Sequence, residues 1–291
     1  MAEKITLATL KQYKQQQRPI TMLTCYDYAT AVLLEQAGVD SILVGDSLAQ
    51  VVLGYKTTLP ATMDIMIALT AAVRRGAPNV YLIGDMPFLS YQVSPEMAIV
   101  NAGRFLSEAG CDAVKLEVNT RQLDLVERLA TAGIPVMAHL GYRPQSASQS
   151  DKVVETRSVQ RACQLVRDGL DMIDAGACSI LLECVTTAAA QKLTESTDLP
   201  IISCGSGPHC DGQVLVLHEI LSLPGATGPR FSKSYADVGE QIRAAAGKYV
   251  EDVRQKRFPD EDHSYHMSEE HQEQFQRWLA EKRVEGGEWR S

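Results

Sequence analysis

A chain of 291 residues with 45% hydrophobic and 22% charged side chains has the balance of an ordinary globular protein and enough apolar material for one large core. Its formal net charge of −8 argues against nucleic acid or an anionic membrane as partner. No apolar run is long enough to span a bilayer, and the polar stretch from Met1 to Arg18 lacks the apolar centre of a signal peptide, so the expected compartment is the cytoplasm.

In chain order, residues 1–18 read as a helix with polar ends, and Ile20–Thr24 is the first predicted strand. A helix over Ala29–Ala37 is stopped by Gly38. The second strand starts at Ser41 and runs into Gly45-Asp46-Ser47, and a long loop is expected from Ser47 to Thr62. Met63–Arg75 is the next predicted helix, with Gly76 as its stop, and the third strand runs from Val80 to Asp85. Ser94 as N-cap and Pro95 at the first helical position open a helix that reaches Ala109-Gly110. Strands follow at Cys111–Glu117, Ile134–His139, Cys178–Glu183, Leu199–Cys204 and Gln213–Leu217.

One beat recurs: Ala37-Gly38, Ala109-Gly110, Ala132-Gly133 and Ala175-Gly176 each end a helix just ahead of a strand. Repeated helix–glycine–strand units mean βα alternation and a parallel sheet, and about eight strands close a barrel. The rival doubly wound sheet wants a GxGxxG turn after the first strand, and the sequence has none there. The expected fold is therefore α/β: a (β/α)8 TIM-type barrel with an N-terminal helix, one domain over residues 1–257, and a charged C-terminal helical tail over 258–291. Tyr235–Arg257 reads as a charged amphipathic helix, and a further helix is expected around Glu269–Arg283. His263, His266 and His271 lie among acids in that tail and read as surface residues. The seven cysteines form no CxxC pair, and most sit in apolar strand contexts as small buried side chains.

Five of the predicted strands close on ionisable residues: Asp46, Asp85, the pair Lys115 and Glu117, His139, and Glu183. A (β/α)8 barrel collects its reacting groups at that end of its strands. Side chains alternate along a strand, so Lys115 and Glu117 face the same way. Three carboxylates, Asp46, Asp85 and Glu117, with one lysine make an oxygen-rich site suited to Mg2+, which polarises the ketone of a 2-oxo acid. Lys115 is then placed to hold the substrate carboxylate, and Glu183 is the candidate general base. The competing reading is a set of buried salt bridges, Lys115 with Asp85 among them.

These residues fall in a longer pattern. Leu23-Thr24-Cys25-Tyr26-Asp27, Val44-Gly45-Asp46-Ser47, Asp85-Met86-Pro87-Phe88, Val114-Lys115-Leu116-Glu117, Met137-Ala138-His139-Leu140-Gly141, Pro144-Gln145-Ser146 and Leu182-Glu183-Cys184-Val185 resemble, in order, the ketopantoate hydroxymethyltransferase family. The resemblance covers about Ile20 to Asp260. It implies a Mg2+-dependent barrel that moves a one-carbon unit from 5,10-methylenetetrahydrofolate to 3-methyl-2-oxobutanoate, giving 2-dehydropantoate for pantothenate biosynthesis. It also implies a large homo-oligomer, typically a decamer. By position it matches Asp46, Asp85 and Glu117 to the metal, and Asp46, Ser47, Asp85 and Lys115 to the oxo acid. Glu183 matches the proton acceptor and His139 an active-site histidine in contact with substrate.

The sequence departs from the family at Val118-Asn119, where a glycine usually follows the acid, and at Ser203, where the turn after the seventh strand usually starts on glycine. The stretch Ala147–Lys152 lacks the glycines of a family loop. Another Mg2+-dependent barrel enzyme, a lyase or aldolase acting on a different 2-oxo acid without folate, stays open as the alternative.

Overall fold

The structure is a computed structural model that describes residues 3–146, 156–224 and 228–284. The glycine-free stretch Ala147–Lys152 lies outside the described residues. The chain divides into two compact units, Met1–Asp237 and Val238–Ser291.

In the first unit, helix α1 (Leu7–Gln15) precedes β1 (Ile20–Thr24), α2 (Tyr28–Gln36), β2 (Ser41–Val44), α3 (Leu48–Val51) and α4 (Met63–Gly76). The chain continues through β3 (Tyr81–Asp85), α5 (Pro95–Ser107), β4 (Ala113–Glu117), α6 (Leu123–Thr131), β5 (Val136–Gly141) and α7 (Val159–Asp174). It ends with β6 (Ser179–Glu183), α8 (Thr187–Glu195), β7 (Ile201–Cys204), β8 (Gly212–Leu215) and α9 (Leu217–Ile220). The strands are parallel, and β1 bonds to both β2 and β8, which closes the barrel. The second unit holds α10 (Val238–Arg254) and α11 (Glu269–Val284). No helix among the described residues is long and apolar enough to cross a membrane.

Local chemistry sets most of the boundaries. The side chains of Asp27, Thr62, Ser94 and Ser158 accept from the N–H groups of Thr30, Ile65, Met97 and Arg161, which caps α2, α4, α5 and α7. Gly38, Gly110, Gly133 and Gly176 carry positive φ just beyond their helices, as the recurring beat anticipates. Gly76 does not. It is the last helical residue of α4, and a Cβ there would lie 2.3 Å from the Tyr28 carbonyl oxygen of α2. The glycine is needed for close helix contact, not to stop the helix. The expected loop after Ser47 also contains the single turn α3.

Strand alternation divides the core in two. Val114, Leu116, Ala138, Ile180 and Leu182 point outward and pack with helix residues such as Phe105, Val126 and Leu193. Leu43, Tyr81, Ile83, Ala113, Met137, Leu181, Ile202 and Val214 point inward and fill the barrel, with Leu10 of α1 packed against them at the N-terminal end. The barrel is thus plugged below, and whatever the inward positions carry at the other end forms a floored site.

Candidate active site

Inward positions recur every second residue, so the last inward residue of each strand is fixed by its first. Tyr81-Ile83-Asp85, Ala113-Lys115-Glu117 and Ser179-Leu181-Glu183 run from packed core into ionisable groups, and His139 follows Met137 in the same way. Strand pairing sets Asp85 beside Lys115 and Glu117 beside His139. Asp46 reaches the site differently: it lies beyond the end of β2, in the turn that leads into α3. Together with Ser47 these residues line one cavity of about 490 Å3, so the structure brings every residue singled out from the sequence to one place.

Within the cavity the acids meet nitrogen donors. Lys115 Nζ lies 2.8 Å from Asp85 Oδ1, and the Asp46 backbone N–H donates to Asp85 Oδ2 at 3.0 Å. Both Lys115 and Asp85 are buried. Burial pushes the Asp85 carboxyl up to about 7 in spite of Lys115, and burial also raises Glu117, to about 8. Burial works against the Lys115 ammonium too, but the charges of Asp85, Asp46 and Glu117 outweigh it and hold its pKa above the ordinary value. The Tyr26 hydroxyl stands 2.8 Å from Ser47 Oγ and fixes that side chain at the cavity wall.

The tautomer of His139 follows from its neighbours. Its Nδ1 lies 3.2 Å from Lys115 Nζ, and an ammonium has no lone pair, so Nδ1 must accept. Burial, with the Lys115 charge, pushes the His139 pKa well down, so the ring is neutral and its proton sits on Nε2. That N–H faces Glu183 Oε2 at 3.3 Å, out of line for a full hydrogen bond. Glu183 is held in turn by the backbone: its carbonyl accepts from Tyr142 N–H at 2.9 Å, and Gly141, at φ +92°, leaves room where a Cβ would fall 2.2 Å from that oxygen. The next residue, Cys184, sits at φ +52°, a left-handed conformation that costs a non-glycine residue roughly 1–2 kcal/mol. Such strain gathers at functional sites.

Gln145 has no place in the sequence-based site, yet it is buried at its centre. Its backbone N–H donates to both Glu117 carboxylate oxygens at 3.1 Å, and its Nε2 donates to Asp46 Oδ2 and to the Met86 carbonyl at 3.0 Å. Two of the departures from the family pattern have local structural roles. Val118 is buried and Asn119 caps the short turn Thr120–Gln122, while Ser203 Oγ accepts from Ser206 N–H at 3.0 Å within its own turn.

Whether these residues suit Mg2+ can be judged from the donors. Among the described residues no group of three or more His, Cys, Asp and Glu is gathered closely enough to hold a metal ion. Asp46, Asp85 and Glu117 therefore do not converge on one point; the nitrogens of Lys115, Gln145 and Asp46 itself stand among their oxygens. The set nevertheless fits Mg2+ in kind. The ion is bound through one or two carboxylates, with water and substrate oxygens completing its shell, and it does not need an all-protein cage. Three buried carboxylates face a single ammonium, and a dication would offset the charge that burial opposes in Asp85 and Glu117.

The sequence profile described as ketopantoate hydroxymethyltransferase matches residues 4–261. A protein from Carboxydothermus hydrogenoformans named 3-methyl-2-oxobutanoate hydroxymethyltransferase is 45% identical over 269 residues, covering 92% of this chain and 98% of that one. A protein of the same name from Syntrophus aciditrophicus is 46% identical over 263 residues, 90% of this chain and 97% of that one. Among solved structures, 2,3-dimethylmalate lyase, a PEP mutase/isocitrate lyase superfamily member, superposes with a TM-score of 0.55 at 15% identity, covering 96% of this chain and 97% of that one. Phosphoenolpyruvate phosphomutase from Streptomyces platensis subsp. rosaceus does so at 0.58 and 14% identity, over 96% and 99%. At such identity these two likenesses speak for the barrel fold alone.

Proposed function

The chain belongs to the ketopantoate hydroxymethyltransferase family, and from that premise we propose how its cavity carries out the family's reaction. The enzyme is a one-carbon transferase, a 3-methyl-2-oxobutanoate hydroxymethyltransferase of pantothenate biosynthesis. In our reading the one-carbon donor is 5,10-methylenetetrahydrofolate. A carbon–carbon bond forms between its methylene carbon and C3 of the oxo acid, water supplies the hydroxyl oxygen, and tetrahydrofolate leaves with 2-dehydropantoate.

What supports the reading is that Asp46, Asp85, Lys115, Glu117, His139 and Glu183 line one cavity. Asp46, Asp85 and Glu117 would hold Mg2+, which when bound polarises the substrate ketone and makes the adjacent C–H more acidic. Lys115, kept cationic by three acids, offers its remaining N–H to the substrate carboxylate, beside the hydroxyl of Ser47. Glu183 accepts the C3 proton. His139 cannot take that role in this arrangement, because its one lone pair faces Lys115. It presents Nε2–H to Glu183 and to bound substrate.

The test is purified protein with Mg2+ and 3-methyl-2-oxobutanoate, with and without 5,10-methylenetetrahydrofolate. Formation of 2-dehydropantoate only with folate is the expected result. Cleavage or condensation of a 2-oxo acid without folate would overturn the reading in favour of a lyase or aldolase.

A further inference from the structure

Gln145 is four residues beyond the end of β5, yet it touches groups from β4, from the residue just after β3 and from the turn after β2. Its amide orientation is determined by those groups. Nε2 faces the Asp46 carboxylate and the Met86 carbonyl, both acceptors at 3.0 Å, so a flipped amide would set oxygen against two oxygens. On the other side Oε1 lies 2.9 Å from the Tyr91 hydroxyl and 3.4 Å from Gln92 Nε2, both able to donate. The Tyr91 hydroxyl also lies 3.2 Å from the Glu117 carbonyl, so its one hydrogen is shared between two acceptors, with Gln145 Oε1 the nearer. Tyr91, Gln145, Asp46 and Glu117 are buried, so all of these bonds except the one from the exposed Gln92 form where water competes little.

We infer that Gln145 is a positioning residue of this site: through its backbone N–H and its side-chain amide it fixes Glu117, at the end of β4, and Asp46, in the turn after β2, relative to one another and so sets the affinity for Mg2+. The inference rests on the reading of Asp46 and Glu117 as metal residues. Three observations set Gln145 apart from an ordinary buried amide. It spans sequence separations of 28 residues to Glu117 and 99 to Asp46. It donates to two acids through two different groups. Its acceptor side faces a tyrosine hydroxyl whose one hydrogen is shared with the Glu117 carbonyl. Partners of this kind typically change metal affinity 10- to 100-fold when removed.

The test is calorimetric titration of Mg2+ alone into the full chain stripped of metal, comparing wild type with Gln145→Met and Tyr91→Phe. Methionine fills a similar space and keeps the backbone N–H to Glu117 but cannot donate to Asp46. The expected result is a Kd for Mg2+ raised about 10- to 100-fold in Gln145→Met, and raised by a smaller factor in Tyr91→Phe. The melting temperature in EDTA should stay near that of wild type, and turnover should recover as Mg2+ is raised. Equal Mg2+ affinity in wild type and Gln145→Met overturns the inference and leaves the metal reading standing. Absence of Mg2+ binding in wild type overturns both. Should Gln145→Met fail to fold, equal affinity in wild type and Tyr91→Phe overturns the inference.

Discussion

His139 Nε2 stands 3.3 Å from Glu183 Oε2 across the adjacent strands β5 and β6. Because Nδ1 is committed to Lys115, this contact makes the histidine a donor to the acid and not its rival as base. His139→Gln keeps an amide donor and acceptor, whereas His139→Leu keeps neither. A well-aligned hydrogen bond to a charged group contributes about 1.5–3 kcal/mol; this contact is out of line and is worth less, so the glutamine variant should retain several-fold more activity than the leucine variant. Steady-state kcat for the two variants is the measurement, and equal losses would remove the donor role.

Asp46 and Asp85 should differ in what their loss does to the metal-free protein. Asp85→Ala deprives the buried Lys115 ammonium of its partner at 2.8 Å. Breaking a buried pair typically costs 3–5 kcal/mol, and about 2–3 kcal/mol is expected here because Asp46 and Glu117 still face the ammonium. Asp46→Ala instead removes one of three like charges and leaves Gln145 Nε2 bonded to the Met86 carbonyl, so stability in EDTA should hold or rise. Both variants should lose Mg2+-dependent turnover. Denaturation in EDTA distinguishes the cases, and an equal loss of stability in both would favour a purely structural ion-pair cluster.

The same burial gives the metal-free enzyme a pH dependence. Folded Asp85 and Glu117 titrate at about 7 and about 8, while unfolded carboxyls titrate near 4. Above pH 4 the native state therefore holds protons that the unfolded state has lost, and stability falls as pH rises until both groups are ionised. His139 works in the opposite direction below about pH 6.5, since it is neutral when folded and gains a proton on unfolding. Between pH 7 and 8.5 only the carboxylate effect remains among these three. The melting temperature in EDTA should fall over that interval, and Mg2+ should flatten the slope. A rise in EDTA would contradict the assigned burial effects.

Gly76→Ala tests the packing of α4 on α2. Its added methyl would sit 2.3 Å from the Tyr28 carbonyl oxygen and 2.9 Å from the Ala31 Cβ, both in α2. Overpacking of this kind costs about 1–3 kcal/mol. Gly38→Ala meets no atom within 4 Å and bears only the strain of its φ of +82°. Chemical denaturation should show the larger loss at Gly76, although both glycines look like helix stops in the sequence.

The barrel and most of the site were legible because two periodicities carry them. The Ala-Gly beat marked four helix ends, and alternation carried Asp85, Lys115, Glu117 and Glu183 to one end of the barrel. Asp46 was legible as a residue, but its route through the turn was not, since a turn has no period to read. Gln145 left no local signal: its partners lie 28 and 99 residues away, and nothing in Pro144-Gln145-Ser146 points toward an acid. Gly76 was misread for the same reason, because the carbonyl that requires it belongs to another helix. The turn α3 is four residues long, too short for helical periodicity to declare itself.

The central claim is that Glu183 takes the C3 proton of the oxo acid. Exchange of that hydrogen with deuterated water, in the presence of Mg2+ and without folate, reports the step alone. Glu183→Gln keeps the size of the side chain but cannot accept a proton, and oxo-acid binding through Lys115 and Ser47 should persist. Wild type should exchange the C3 hydrogen, and the variant should do so roughly 10²- to 10⁴-fold more slowly, the usual contribution of a positioned base. Exchange at the wild-type rate in Glu183→Gln would contradict the account.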